Sequence, residues 1–298
     1  MGTTGRGPVA VEVVGSADGM RAVDHASMAA EIAGGGLLLV AGYPSQISSQ
    51  IGSHTGDLPV VHPSHTARDQ ARADLSEALA RVRRNIGHGM RVRTLLREGT
   101  RASVLVQAAV TARILVVGRR RAIGPQRILA AHHDLLLASA CDCAVVVVPE
   151  SWRPSVADRT VFVGVDGTDI STGAVEQAFA AAATRAGGSV VVVHAERTRH
   201  GDDSERRWAI SAETAVSRTL ADCGERYPGV RVTRTVTARP LNEALVKASR
   251  NAGLVVLGGD QFTGYVTRLT LAAAASPVAV VMNHGSTRTR LRETAIAV

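Results

Sequence analysis

The chain has 298 residues, 45% apolar and 20% charged, proportions of a globular protein that exclude a wholly disordered chain, a fibrous repeat or a membrane bundle. Its 34 basic side chains, all arginine except Lys247, exceed its 26 acidic ones by eight. With 3% aromatic residues it lacks the stacking platforms of a nucleic-acid surface, so the arginines read as a dispersed, solvated set.

The N-terminal stretch MGTTGRGPVAVEVVGSADG lacks the continuous apolar run of an export signal, and no run of 18 uncharged apolar residues follows. Within it, Val9 to Gly19 reads as a first strand and its turn, followed by an Ala-rich helix. Then come a strand over Gly36 to Gly42 and a Ser/His/Gly/Pro-rich loop from Tyr43 to Ala67. The loop's His54, His62 and His65 have no spacing that would hold them together on a metal, and they read as surface histidines. A helix from Arg68 to Asn85 leads to a strand over Met90 to Gly99. A helix from Arg101 to Ala112 precedes the strand Arg113 to Gly118, and a final helix precedes the strand Ala144 to Pro149. Cys141 and Cys143 are packed thiols on this reading; with Cys223 they leave an odd number, which fits a reducing compartment and the cytoplasm.

Glu150 to Arg159, carrying Pro154, is the expected linker. Beyond it the same order returns. The segment TVFVGVDGT from Thr160 is a strand ending in a tight turn at Asp166 and Gly167, and an Ala-rich helix follows. The later strands are Ser189 to Ala195, Val230 to Thr237, Gly253 to Gly258 and Pro277 to Met282. Helical stretches over Asp203 to Cys223 and Pro240 to Ala252, with a last one before Pro277, separate them. Apolar strands alternating with helices describe parallel sheets covered on both faces. The expected fold class is α/β: two repeated doubly wound domains, over 1–150 and 159–285, each with a five-stranded parallel sheet.

In such sheets ligands lie beyond the carboxyl ends of the strands. Asp18, Asp166, Gly118 and Gly258 fall there: a carboxylate suits a sugar or base, and glycine admits phosphate to the backbone. His194, at the end of a second strand, could touch a ligand, but it reads more simply as a strand ending. His132, His133, Asp134 and Ser139 do not share a helix face, which argues against a nucleophilic triad.

VFVGVDGTDISTGAVEQAF with GGSVVVVHA, and GLVVLGG with GYVTRLTLAAAASPVAVV, resemble the opening and the close of a universal stress protein, and the resemblance spans nearly the whole chain as a tandem pair. It implies the strand order 3-2-1-4-5 and a crevice that takes ATP. The crevice's residues would be an Asp after the first strand and a G-x-x-G-x9-G-(S/T) loop after the fourth. Asp166, Gly167 and Thr168 match the opening motif. In the second half Gly258 and Gly264 remain, but only five residues separate them, seven fewer than the family loop has, and Tyr265 replaces the Ser/Thr. In the first half Gly118 opens a full-length loop whose later positions are Arg121, Ala131 and His132. Asp18 stands one residue further from its glycine, Gly15, than Asp166 does from Gly164.

The resulting expectation is a non-enzymatic stress-response or regulatory protein, with ATP bound weakly or not at all and no metal, acting through protein contacts. The alternative is an ATP- or AMP-binding member using mainly the second crevice, with slow hydrolysis. The fifth strands of the two halves are expected to pair antiparallel as an internal pseudo-dimer. Association of two chains into a homodimer is compatible with the sequence, which gives no interface for it, and neither a membrane nor a nucleic acid is expected as partner.

Overall fold

Strands that are apolar throughout can be buried on both faces, and those flanked by Ala-rich helices can be approached closely from either side. A computed structural model of the chain describes residues 7–44, 64–86, 89–119, 122–154, 159–165, 170–195, 203–259 and 264–282. The chain divides into two compact units, Met1–Ser155 with Ala275–Pro277, and Val156–Ala274 with Val278–Val298.

The first unit runs β1 (Val9–Glu12), α1 (Ala17–Ile32), β2 (Leu37–Tyr43), α2 (Ser64–Ile86), β3 (Val92–Glu98), α3 (Arg101–Ala109), β4 (Ile114–Gly118), α4 (Gln126–Ser139) and β5 (Ala144–Val148). Its strands are parallel and lie in the order β3-β2-β1-β4-β5. Every residue of β1 and β5 is buried, and so is most of β2 and β4, whereas the edge strand β3 is largely exposed. Ala22, Val23, Ala26 and Ala30 give α1 one fully buried stripe, and such small side chains let the helix approach the sheet closely. The Ser16 side chain caps this helix by accepting from the Gly19 N–H at 3.1 Å. Gly19 is itself required: a Cβ there would lie 2.3 Å from the Val14 carbonyl oxygen. After β5, the buried Trp152 meets the buried His25 edge-on at a ring separation of 5.2 Å, so the first part of the expected linker is packed on its own unit.

The second unit runs β6 (Thr160–Val165), α5 (Ile170–Ala183), β7 (Ser189–Ala195), α6 (Asp203–Arg226), β8 (Arg231–Thr237), α7 (Leu241–Ala248), β9 (Leu254–Gly259), α8 (Tyr265–Ala273) and β10 (Val278–Met282). Its parallel pairings give the order β8-β7-β6-β9-β10, the 3-2-1-4-5 arrangement again. Ala174, Ala178 and Ala182 with Val175 and Phe179 form a stripe on α5 that is fully buried. Among the described residues Phe179 is the largest of the fully buried side chains, in a core made mainly of Val, Leu and Ala.

Element types follow the sequence expectation, and most boundaries shift by one to four residues; two departures bear on the site. The first strand ends at Glu12 rather than continuing toward Gly19, because Ser16 already caps a helix. That helix begins at Ala17 and includes Asp18 in its first turn. The second long helix starts at Ser64, inside the expected loop, of which 45–63 lie outside the described residues. Of the loop histidines, His54 and His62 lie outside them too.

Candidate functional site

Strand register fixes which residues stand level at the carboxyl ends. In the second unit Val165 pairs with His194 on β7, and Gly164 pairs with Leu257 on β9, so His194, Val165 and Gly258 form one row across three adjacent strands. His194 and Gly258 are half-buried. The next residues after Val165 are Asp166, Gly167 and Thr168, which lie outside the described residues. Gly264 immediately precedes α8, its carbonyl accepting from the Arg268 N–H at 2.8 Å, and the Thr267 hydroxyl donates to the Gly258 carbonyl at 3.2 Å. The start of this short helix is thereby tied to the end of β9.

The same counting in the first unit gives the row Ala41, Val13, Gly118, since Glu12 pairs with Val40 and Val11 with Val116. Val9 and Val161 are matched by their partners Ile114 and Leu254, each four residues before Gly118 or Gly258. In the first unit the residue that follows this row in the chain is Val14, and Asp18 lies four residues beyond it. Gly118 lines a cavity of about 890 Å3 opening at these strand ends, within the range of small-molecule sites.

The cavity lining is charged at Glu12 and Arg101. Glu12 ends a strand that is otherwise apolar, and Arg101 is the first residue of α3, presented there by the Thr100 cap, whose hydroxyl accepts from the Ser103 N–H at 3.2 Å. The guanidinium donates twice to the carboxylate, Nε to Oε1 at 2.6 Å and Nη2 to Oε2 at 2.8 Å. Behind it the fully buried Asp134 side chain of α4 stands 3.8 Å from Arg101 Nη2. Burial works against the Arg101 charge, but the hydrogen bonds and charge of Glu12, with Asp134, outweigh it and hold its pKa above the ordinary value. Arg119, just past β4 and half-buried at the cavity wall, is shifted the other way. Burial is the main cause and repulsion from Arg127 the next, against attraction from Glu150 and Asp134.

Each charged position has a neutral counterpart in the second unit. Glu12 matches Gly164, where a Cβ would come within 2.7 Å of Leu245 Cδ1 and 2.8 Å of Leu257 Cδ2. Arg101 matches Leu241, the first residue of α7, which is buried. Asp134 matches Thr267, each lying eleven residues before the equivalent fifth-strand positions Val145 and Val278. Glu12 alone carried a signal in the sequence: a carboxylate inside a buried strand must find a partner. Arg101 and Asp134 are distant in sequence and were legible only through the fold.

Among the described residues, no group of three or more His, Cys, Asp or Glu could hold a metal ion, and no helix is long and apolar enough to cross a membrane. His132 and His133 lie 6.3 Å apart between ring centres with their planes tilted, and Asp134 points to the buried network instead. Cys141 is buried and its thiol is pushed up to about 12, mainly by burial.

No family model matches the chain. A universal stress protein of Mycolicibacterium smegmatis is 30% identical over 219 residues, which cover 72% of each chain. The universal stress protein Rv2005c of Mycobacterium tuberculosis is 27% identical over 227 residues, 71% of this chain and 77% of that one. Among solved structures, a universal stress protein from Archaeoglobus fulgidus superposes with a TM-score of 0.65 over 92% of this chain and 96% of its own, at 14% identity, a likeness of fold.

Proposed function

Because the chain belongs to the universal stress protein family, we propose that it is a non-catalytic regulatory member that binds ATP or AMP, mainly in the second-unit crevice. The observation that supports this reading is the row of His194, Val165 and Gly258 at three neighbouring strand ends, with Asp166, Gly167 and Thr168 next in the chain. A carboxylate after the central strand suits the polar edge of a nucleoside, and a half-buried glycine after its neighbour admits phosphate. Seven residues fewer in the loop between Gly258 and Gly264 leave little to hold a β- or γ-phosphate, so the α-phosphate and nucleoside supply the affinity.

The test is calorimetric titration of the whole chain with ATP, AMP and cyclic AMP, with and without magnesium. The expected result is a dissociation constant of about 10–100 μM, with AMP within about threefold of ATP and an at least tenfold loss on Asp166→Ala. Absence of any nucleotide binding at about 1 mM would return the protein to ligand-independent contacts. The remainder of the proposal is a cytoplasmic protein whose two fifth strands pair internally and whose output is a protein partner.

A further inference from the structure

Gly15 follows the end of β1 by three residues, and the space left by its missing side chain is taken by a carboxylate from another helix. A Cβ at this position would lie 2.4 Å from Asp74 Oδ1 and 2.9 Å from Oδ2, so the glycine is what lets α2 bring Asp74 against the turn after the central strand. Asp74 also lines the first-unit cavity of about 890 Å3, at the carboxyl ends of the strands where doubly wound sheets hold their ligands.

The other charges at this cavity are engaged with one another. Glu12 accepts two hydrogen bonds from Arg101, which also faces Asp134. Arg119 is drawn to Glu150 and Asp134, and Arg127 stands 3.8 Å from Glu150. Asp74 belongs to none of these pairs. Its Oδ1 accepts from Gln70 Nε2 at 2.8 Å, and among the described residues no arginine is paired with it. Gln70 is neutral, so that hydrogen bond leaves the negative charge in place, and a carboxylate can only accept. A charged donor is therefore its natural complement. Metal ions need more ligands than one carboxylate, and among the described residues no group of three or more His, Cys, Asp or Glu could hold one. Much of the remaining wall is apolar, including Val14, Val40, Val104 and Leu105.

We propose that the first-unit cavity binds an organic amine with an apolar body, its ammonium group donating to Asp74 and its body lying along Val14, Val40 and Val104. The inference rests on reading the strand ends as ligand sites, and not on whether a nucleotide binds in the second unit.

Phenethylamine is the probe, titrated calorimetrically into the whole chain beside phenethyl alcohol, which has the same body without the charge, and AMP. The amine should bind about tenfold more tightly than the alcohol. Asp74→Asn keeps an acceptor for Gln70 but removes the charge, and it should abolish that preference while leaving the alcohol unchanged. Gly15→Ala tests the same carboxylate by another route: its Cβ displaces Asp74, and the amine should weaken about tenfold, with no further loss when Asp74→Asn is added. Asp166→Ala should weaken AMP and leave the amine untouched. Loss of AMP binding with the amine retained sinks the nucleotide reading alone, and absence of amine binding with AMP retained sinks this proposal alone. Equal affinity for amine and alcohol, or undiminished amine affinity in Asp74→Asn, also overturns it. If Gly15→Ala does not fold, Asp74→Asn decides alone.

Discussion

Two arginine–carboxylate pairs of the first unit have the same bidentate geometry and should have unequal worth. Arg101 and Glu12 are 25% and 10% exposed, while Arg81, which pairs with Asp24 at 2.7 Å, is 38% exposed. Arg101→Leu leaves a buried carboxylate unpaired and should cost about 3 kcal/mol, whereas Arg81→Leu should cost about 0.5–1 kcal/mol because water already screens that pair. Urea denaturation of the two variants measures the contrast. The thiols make a pH prediction. Cys141 is raised to about 12 and Cys143 to about 11, burial being the main cause in each, while an unfolded thiol titrates near 9.0. The folded state therefore holds these protons when the unfolded state has released them. Their contribution to stability should be full below pH 9 and fall as pH rises toward 11 to 12, with a shallower fall in Cys141→Ala. Thermal unfolding across that range reads the slope, and native thiols should resist a disulfide reagent at pH 8. At this scale the sequence carried little of the first-unit site: Glu12 was visible as an acid in an apolar strand, but its partner Arg101 is 89 residues away, Asp134 beside that arginine is further still, and no local pattern joins them.

Elements were far more legible, because each is defined by neighbours within one turn or one pleat. The Val-rich runs became strands and the Ala-rich runs helices, while β1 ends at Glu12 although the valines continue to Val14, because the chain turns there toward the Ser16 cap of α1. Strand exposure followed from position in the order: β8, at the end of its sheet, is exposed almost throughout and carries Arg231 and Arg234, one on each face. Such charges guard an open edge against pairing with another chain. Arg231→Val with Arg234→Val should leave the helical content unchanged and increase light scattering on heating. Inside the same sheet, Gly164 lies beneath Leu245 and Leu257. Gly164→Ala should therefore cost about 1–3 kcal/mol through overpacking, seen as a lowered denaturation midpoint with an unchanged slope.

For the whole molecule, the repeat was plain in the sequence because the order of strand and helix is independent of loop length, and both units show the same 3-2-1-4-5 arrangement. The chemical divergence of the two crevices was not plain, since it depends on which residues face one another across β1, α3 and α4. The packing of Trp152 on His25 has a consequence in light. Trp208 is the only other tryptophan, so in a Trp208→Phe variant the emission of the chain comes from Trp152 alone. A buried indole emits to the blue of an exposed one. Unfolding of the first unit then shifts its colour to the red. If the fifth strands pair as proposed, that shift should coincide with the loss of far-ultraviolet circular dichroism from the entire chain. Two units that come apart separately would show the red shift at one temperature and a second loss of dichroism at another, so one indole reports whether the duplicated halves melt as a single body.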